Sequence, residues 1–175
     1  MKFFVLAAAA VAVALSAPAG AQEFKEFPIG EALILNGMKI GAVYLNPIDM
    51  DPRGHDLPAS QADIHLEADI HAEAGSTSGF GAGEWVPYLT VGYRLENKDT
   101  GKVLTGMLMP MVAKDGPHYG ANIKMPGTGN YKLAYHIDPP SKQGFGRHTD
   151  QASGVGKWFQ TFSVDYDFKY VPIKK

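Results

Sequence analysis

The 175-residue chain contains no cysteine. That excludes disulfides, thiolate metal sites, a cysteine nucleophile and lipid attachment through an N-terminal cysteine. Any metal must therefore be held by His, Met, Asp or Glu. Charge is also sparse. Only 19% of residues are Asp, Glu, Lys or Arg, the formal net charge is −2, and no basic block occurs. Nucleic acid and an anionic membrane surface are thus poor partners. Beyond the amino terminus no apolar run is long enough to cross a bilayer, so no stable membrane insertion is expected. There is no Gly-x-Ser-x-Gly elbow, no phosphate-binding loop and no internal repeat. Glu67 and Asp69 could form the carboxylate pair of a glycosidase, but the chain is small for one and shows no aromatic sugar cleft.

What the sequence does have begins with an export signal. Lys2 precedes the apolar run Phe3 to Leu15, and Ala19-Gly20-Ala21 supplies a small-x-small cleavage pattern. Residues 1–21 therefore read as a secretory signal peptide cleaved after Ala21. Its short basic start and alanine-rich core point to the bacterial periplasm. Residues 22–175 read as one domain, large enough for a real core. The 20 glycines and 12 prolines indicate many turns. Alternation dominates over helical periodicity. Strands are predicted at 38–45, 63–71, 86–95, 103–112, 119–124, 130–137 and 158–170, which suggests an all-β sandwich of about seven or more strands. Residues 47–60, 75–84 and 138–156 read as loops. The last is long for a structureless connection and is therefore a place to look for function.

The segment from Asp63 to His71 is the most informative. On a strand, alternate side chains point to opposite faces. Ile64, Leu66, Ala68 and Ile70 share one face; Asp63, His65, Glu67, Asp69 and His71 share the other. The polar face has no Lys, Arg, Ser or Thr. An ordinary solvated face competes with a metal site here, but carboxylates packed this closely repel one another unless a cation sits among them.

Two further segments offer ligands. Met107, Met109 and Met111 alternate along one strand, where gap-filling in the core is the ordinary role of Met107 and Met109. Met111 is followed seven residues later by His118 across a Gly-Pro turn, which could bring a thioether and an imidazole to one point. In the long loop, Gly144 and Gly146 allow tight backbone conformations that could carry His148 over one end of the sandwich. An exposed loop histidine is the alternative. His55 and His136 read as ordinary surface or hydrogen-bonded residues. Imidazole, thioether and carboxylate donors without thiolate favour copper, and a Met ligand argues against a structural zinc site. Glu67 either ligates the metal or orients a ligand.

At these residues the chain resembles a known family. The matching stretches are Leu57 to His71, Trp85-Val86-Pro87-Tyr88-Leu89-Thr90, Leu108-Met109-Pro110-Met111-Val112-Ala113, Asp115 to Asn122, Gly144-Phe145-Gly146-Arg147-His148 and Gly154 to Phe159. They resemble the bacterial periplasmic iron-transport proteins, high-affinity Fe2+ transport proteins that bind copper and iron. The treponemal metal-binding lipoprotein is a distant relative of these. The resemblance covers nearly all of residues 22–175. It implies an immunoglobulin-like β-sandwich, a homodimer with a copper site (Cu2+/Cu+) near its interface, and a role in iron uptake with an inner-membrane iron permease. Carried over by motif, the metal ligands are His65, Met111, His118 and His148, with Glu67 able to join them. A copper chaperone or buffer without an iron role is one alternative, and a dimeric interaction module cemented by metal is another. Ligand types alone do not define a reaction, so a metal-binding or transport protein is expected rather than a defined enzyme.

Overall fold

The computed structural model of the protein describes residues 25–173, so the expected signal peptide at 1–21 lies outside the described residues. Nine strands follow in chain order: β1 (Phe27–Pro28), β2 (Leu33–Leu35), β3 (Met38–Leu45), β4 (Ile64–Ala72), β5 (Thr90–Asn97), β6 (Val103–Ala113), β7 (Gly116–Ile123), β8 (Gly129–Asp138) and β9 (Phe162–Tyr170). Two short 3-10 turns, Ala59–Gln61 and Pro140–Gln143, are the other elements. No helix among the described residues is long and apolar enough to cross a membrane.

All pairings are antiparallel, in the order β1-β3-β4-β7-β6-β5-β8-β9, with β2 beside β3. The sheet curls into two layers at β6. Residues Val103–Leu108 pair with β5, whereas Met109–Ala113 pair with β7. One layer contributes Ile40, Ile64, Leu66 and Ile70 to the core, and the other contributes Val91, Leu95, Leu133 and Ile137, all fully buried. Tyrosines fasten the layers together. Tyr135 Oη donates to Glu67 O at 2.7 Å, and Tyr166 Oη donates to Ile40 O at 2.8 Å. The result is the expected all-β sandwich.

The strand predictions at 38–45, 103–112 and 130–137 match within a residue, and 63–71 is displaced by one. Others differ for local reasons. Strand β5 starts at Thr90 rather than residue 86, because Pro87 offers no N–H to a ladder and Tyr88 has φ of 60°. The last strand starts at Phe162 rather than Trp158. The sequence reading omits β1 and β2. Strand β2 is joined to β3 by Asn36-Gly37, both with positive φ, which is the tight hairpin that this dipeptide favours. Most consequential is β7, which begins at Gly116 instead of Tyr119. Its turn is Lys114-Asp115, so His118 lies on a strand directly opposite Met111.

Candidate metal centre

Strand alternation builds the site. The apolar set of β4 enters the core, so His65, Glu67 and Asp69 face outward from that layer. Register then sets His65 opposite Asn122 and Glu67 opposite Gly120 on β7, while Met109 and Met111 on β6 stand opposite Gly120 and His118. His65, Glu67 and His118 are shielded from solvent, at 1%, 2% and 4% exposure, whereas Asp69, Met109 and Met111 are partly exposed. Tyr135, reaching through the core, holds the Glu67 backbone in place from behind.

His65, Glu67 and His118 each present one donor atom, and the three atoms lie within 4.8 Å of one another. Glu67 Oε1 is 3.5 Å from His65 Nε2 and 3.3 Å from His118 Nε2. The two rings are 6.0 Å apart and tilted by 75°. His118 Nε2 is buried without a hydrogen-bond partner. Met111 Sδ reaches the same space. A side-chain carbon built on Gly120 would lie 2.5 Å from His65 Nε2 and 3.2 Å from Met111 Sδ. Glycine at this position keeps the space between these donors open.

Burial governs the protonation of the cluster. It pushes the His65 imidazole down to about 4, partly opposed by the hydrogen bond to Asn122. It also lowers His118, against the pull of nearby Asp69. Glu67 moves the other way, up to about 8, through burial and then the neighbouring Asp69, Glu26 and Asp115. Asp69 and Glu26 are raised as well, chiefly by burial. At neutral pH the centre thus holds neutral imidazoles and a carboxyl that keeps its proton for want of a compensating positive charge. A cleft of about 410 Å³ adjoins it, lined by Glu26, Asp69, His71, Asp115 and His118, with Lys39 at its wall.

Three of the five expected donors, His65, Glu67 and His118, form this cluster, and Met111 borders it. His148 stands apart. It is exposed on the long loop, with Nδ1 2.8 Å from Ser153 Oγ. His55 is exposed, and His136 contacts Ser163 on the sheet surface. Met107 is 53% exposed and does not fill the core, which corrects the packing role expected for it. Sequence reasoning assigned no role to Gly120 or Asn122, although both follow His118 at alternate positions. It also gave no role to Glu26, which enters the cleft from the amino-terminal part of the described residues, or to Asp115, which enters from the turn just before His118.

A β-sandwich with a buried imidazole and carboxylate cluster on one layer defines a metal-binding protein. The family model described as Fe2+ transport protein matches residues 23–172, and the chain belongs to that family. A UPF0423 protein of Brucella abortus is 51% identical over 172 residues, covering 97% of this chain and 94% of the relative. The 34 kDa membrane antigen of Treponema pallidum is 42% identical over 153 residues, covering 85% and 75%. Among solved structures, FetP of uropathogenic Escherichia coli is 62% identical with a TM-score of 0.85, covering 87% of this chain and all of that one. Copper-reconstituted P19 of Campylobacter jejuni is 59% identical with a TM-score of 0.85, covering 87% and 100%.

Proposed function

We propose that this protein is a periplasmic copper-binding protein that takes part in iron uptake, holding copper between His65, Glu67, Met111 and His118. The observation that carries the reading is the buried His118 Nε2, which has no hydrogen-bond partner and faces Glu67. A buried imidazole nitrogen left unpaired is costly unless a ligand takes it. The open space over Gly120 and the thioether beside it fit copper better than zinc. The copper-bound state of P19 supports the choice of metal.

Bound copper supplies one-electron chemistry, with Met111 favouring Cu(I) and Glu67 favouring Cu(II). The protein's own residues do the rest. His65 and His118 offer neutral nitrogens and need not lose a proton first. Glu67 gives up its proton when a cation arrives. Asp69, Glu26 and Asp115 line the adjoining cleft with hard oxygen donors suited to an iron ion as cargo. The protein works as a homodimer, with the partner's His148 completing the copper site and an inner-membrane iron permease receiving the iron. The family's Fe2+ transport description supports the iron role, and the exposure of His148 leaves its ring accessible to a second copy.

The test is a metal titration of the stripped mature protein with Cu(II), Fe(II), Mn(II) and Zn(II), followed by affinity and Cu(II) EPR. Tight copper binding that weakens sharply in Met111→Ala and His118→Ala supports the site. Unchanged binding in both variants places the metal elsewhere and overturns it. Deletion in the native bacterium separates an iron role from copper buffering, because only the former gives an iron-dependent growth defect.

A further inference from the structure

Asn122 makes more hydrogen bonds than any role in strand pairing requires. It is buried on β7 opposite His65. Its Nδ2 donates to Ile48 O and to Leu57 O, both at 2.8 Å. Those partners are carbonyls and can only accept, so this end of the amide must be nitrogen. Its Oδ1 accepts from the Ile48 N–H at 3.1 Å, and that partner can only donate. The orientation of the amide is therefore determined by backbone groups alone, without reference to the histidine.

The same Oδ1 lies 3.1 Å from His65 Nδ1. An amide oxygen cannot donate, so the proton of this bond belongs to Nδ1. In a neutral imidazole the other nitrogen then carries the lone pair. That nitrogen, Nε2, points over Gly120 and toward Glu67.

We propose that Asn122 is the positioning residue of the metal centre: it fixes His65 as the Nδ1–H tautomer, so that Nε2 is presented to a cation with its lone pair free. The backbone N–H of Asn122 also donates to Asp56 Oδ2 at 2.6 Å, so one residue ties the ring to both ends of the 48–57 segment. The tautomer is a property of the metal-free protein. Only its effect on affinity rests on the copper reading above.

Nitrogen-15 NMR of the histidine rings in the metal-free wild-type protein is the direct test. His65 is expected as Nδ1–H; finding Nε2–H overturns the proposal whatever the variants do. Two substitutions then separate positioning from simple anchoring of the loop. Asn122→Leu removes both the acceptor for His65 and the donors to the loop. It is expected to release the tautomer and weaken copper binding about 10- to 100-fold. Asn122→Asp keeps an acceptor for Nδ1–H while losing the donors to Ile48 O and Leu57 O. It is expected to retain the tautomer and bind copper more tightly than Asn122→Leu. Equal losses in the two variants, with the tautomer unchanged in both, would reduce Asn122 to a loop anchor. An Nδ1–H ring in a wild-type protein that binds no copper would support the positioning role and defeat the copper reading.

Discussion

His118 Nε2 lies 3.3 Å from Glu67 Oε1, and both side chains are nearly inaccessible to solvent. Burial lowers the histidine and raises the glutamate, so neither becomes an ion to neutralise the other. Two groups that pair as charges elsewhere here remain a neutral base and a neutral acid. A cation entering between them would reverse the balance, binding the imidazole lone pair and expelling the carboxyl proton.

This balance sets how the metal-free protein responds to pH. Folding raises Glu67 from 4.5 to about 8, so the folded state holds a proton that the unfolded chain releases. Stability falls as pH rises through that interval. Folding lowers His65 from 6.5 to about 4, so its contribution is lost as pH drops through that interval. The lowered His118 adds to the His65 slope, and the raised Asp69 and Glu26 add to the Glu67 slope. Above 6.5, where the imidazoles are neutral in both states, the Glu67 loss dominates. Denaturant titrations of metal-free protein should show a decline of about 1 kcal/mol from pH 6.5 to 8. Glu67→Gln should flatten it. A decline of equal slope in the variant would assign it to other groups.

Gly120→Ala tests the open space. The added methyl would meet His65 Nε2 and Met111 Sδ. A loss of about 1–3 kcal/mol is expected from overpacking, measured by thermal unfolding. Metal affinity should fall more than tenfold, because the methyl occupies the point on which the donors converge. A variant that binds as tightly as the wild type would mean that the ion sits away from Gly120.

Met111→Leu keeps volume and apolar character while removing the thioether. Stability should change by less than about 1.5 kcal/mol. Cu(I) affinity, measured by competition with a chromophoric chelator, should drop more than Cu(II) affinity. Unchanged Cu(I) affinity would remove Met111 from the ligand set.

Tyr135→Phe tests the support behind the site. The phenol donates to Glu67 O through the core, and its own ionisation is pushed far up by burial. Losing that bond should cost about 1–3 kcal/mol in denaturant unfolding. The fold should survive, since the ring remains.

The legible parts of this structure are those governed by a period of two. Alternation from Asp63 to His71 reveals which residues enter the core and which face the metal centre. It also puts Met111 on a ladder that His118 shares once the two-residue turn at Lys114-Asp115 is recognised. The Pro87 and Tyr88 interruption was open to reading from proline chemistry, but the positive φ at Tyr88 had no sequence signal. The acidic cleft was not legible, because Glu26, Asp69 and Asp115 come from elements far apart in the chain. Nor was the burial of His65 and Glu67. Alternation assigns a face but does not say whether a loop will cover it, and here the 48–57 segment lies over the His65 end.

The chain has no cysteine and hence no covalent link between distant segments. The donors of the centre come from β4, β6 and β7, and two whole strands, β5 and β6, lie between His65 and His118 in the chain. An ion held among them would act as a removable rivet, closing a large loop much as a disulfide does and stabilising the folded state in proportion to the logarithm of free metal. Resistance to proteolysis would then report metal supply, and the empty protein would be cleared faster than the loaded one.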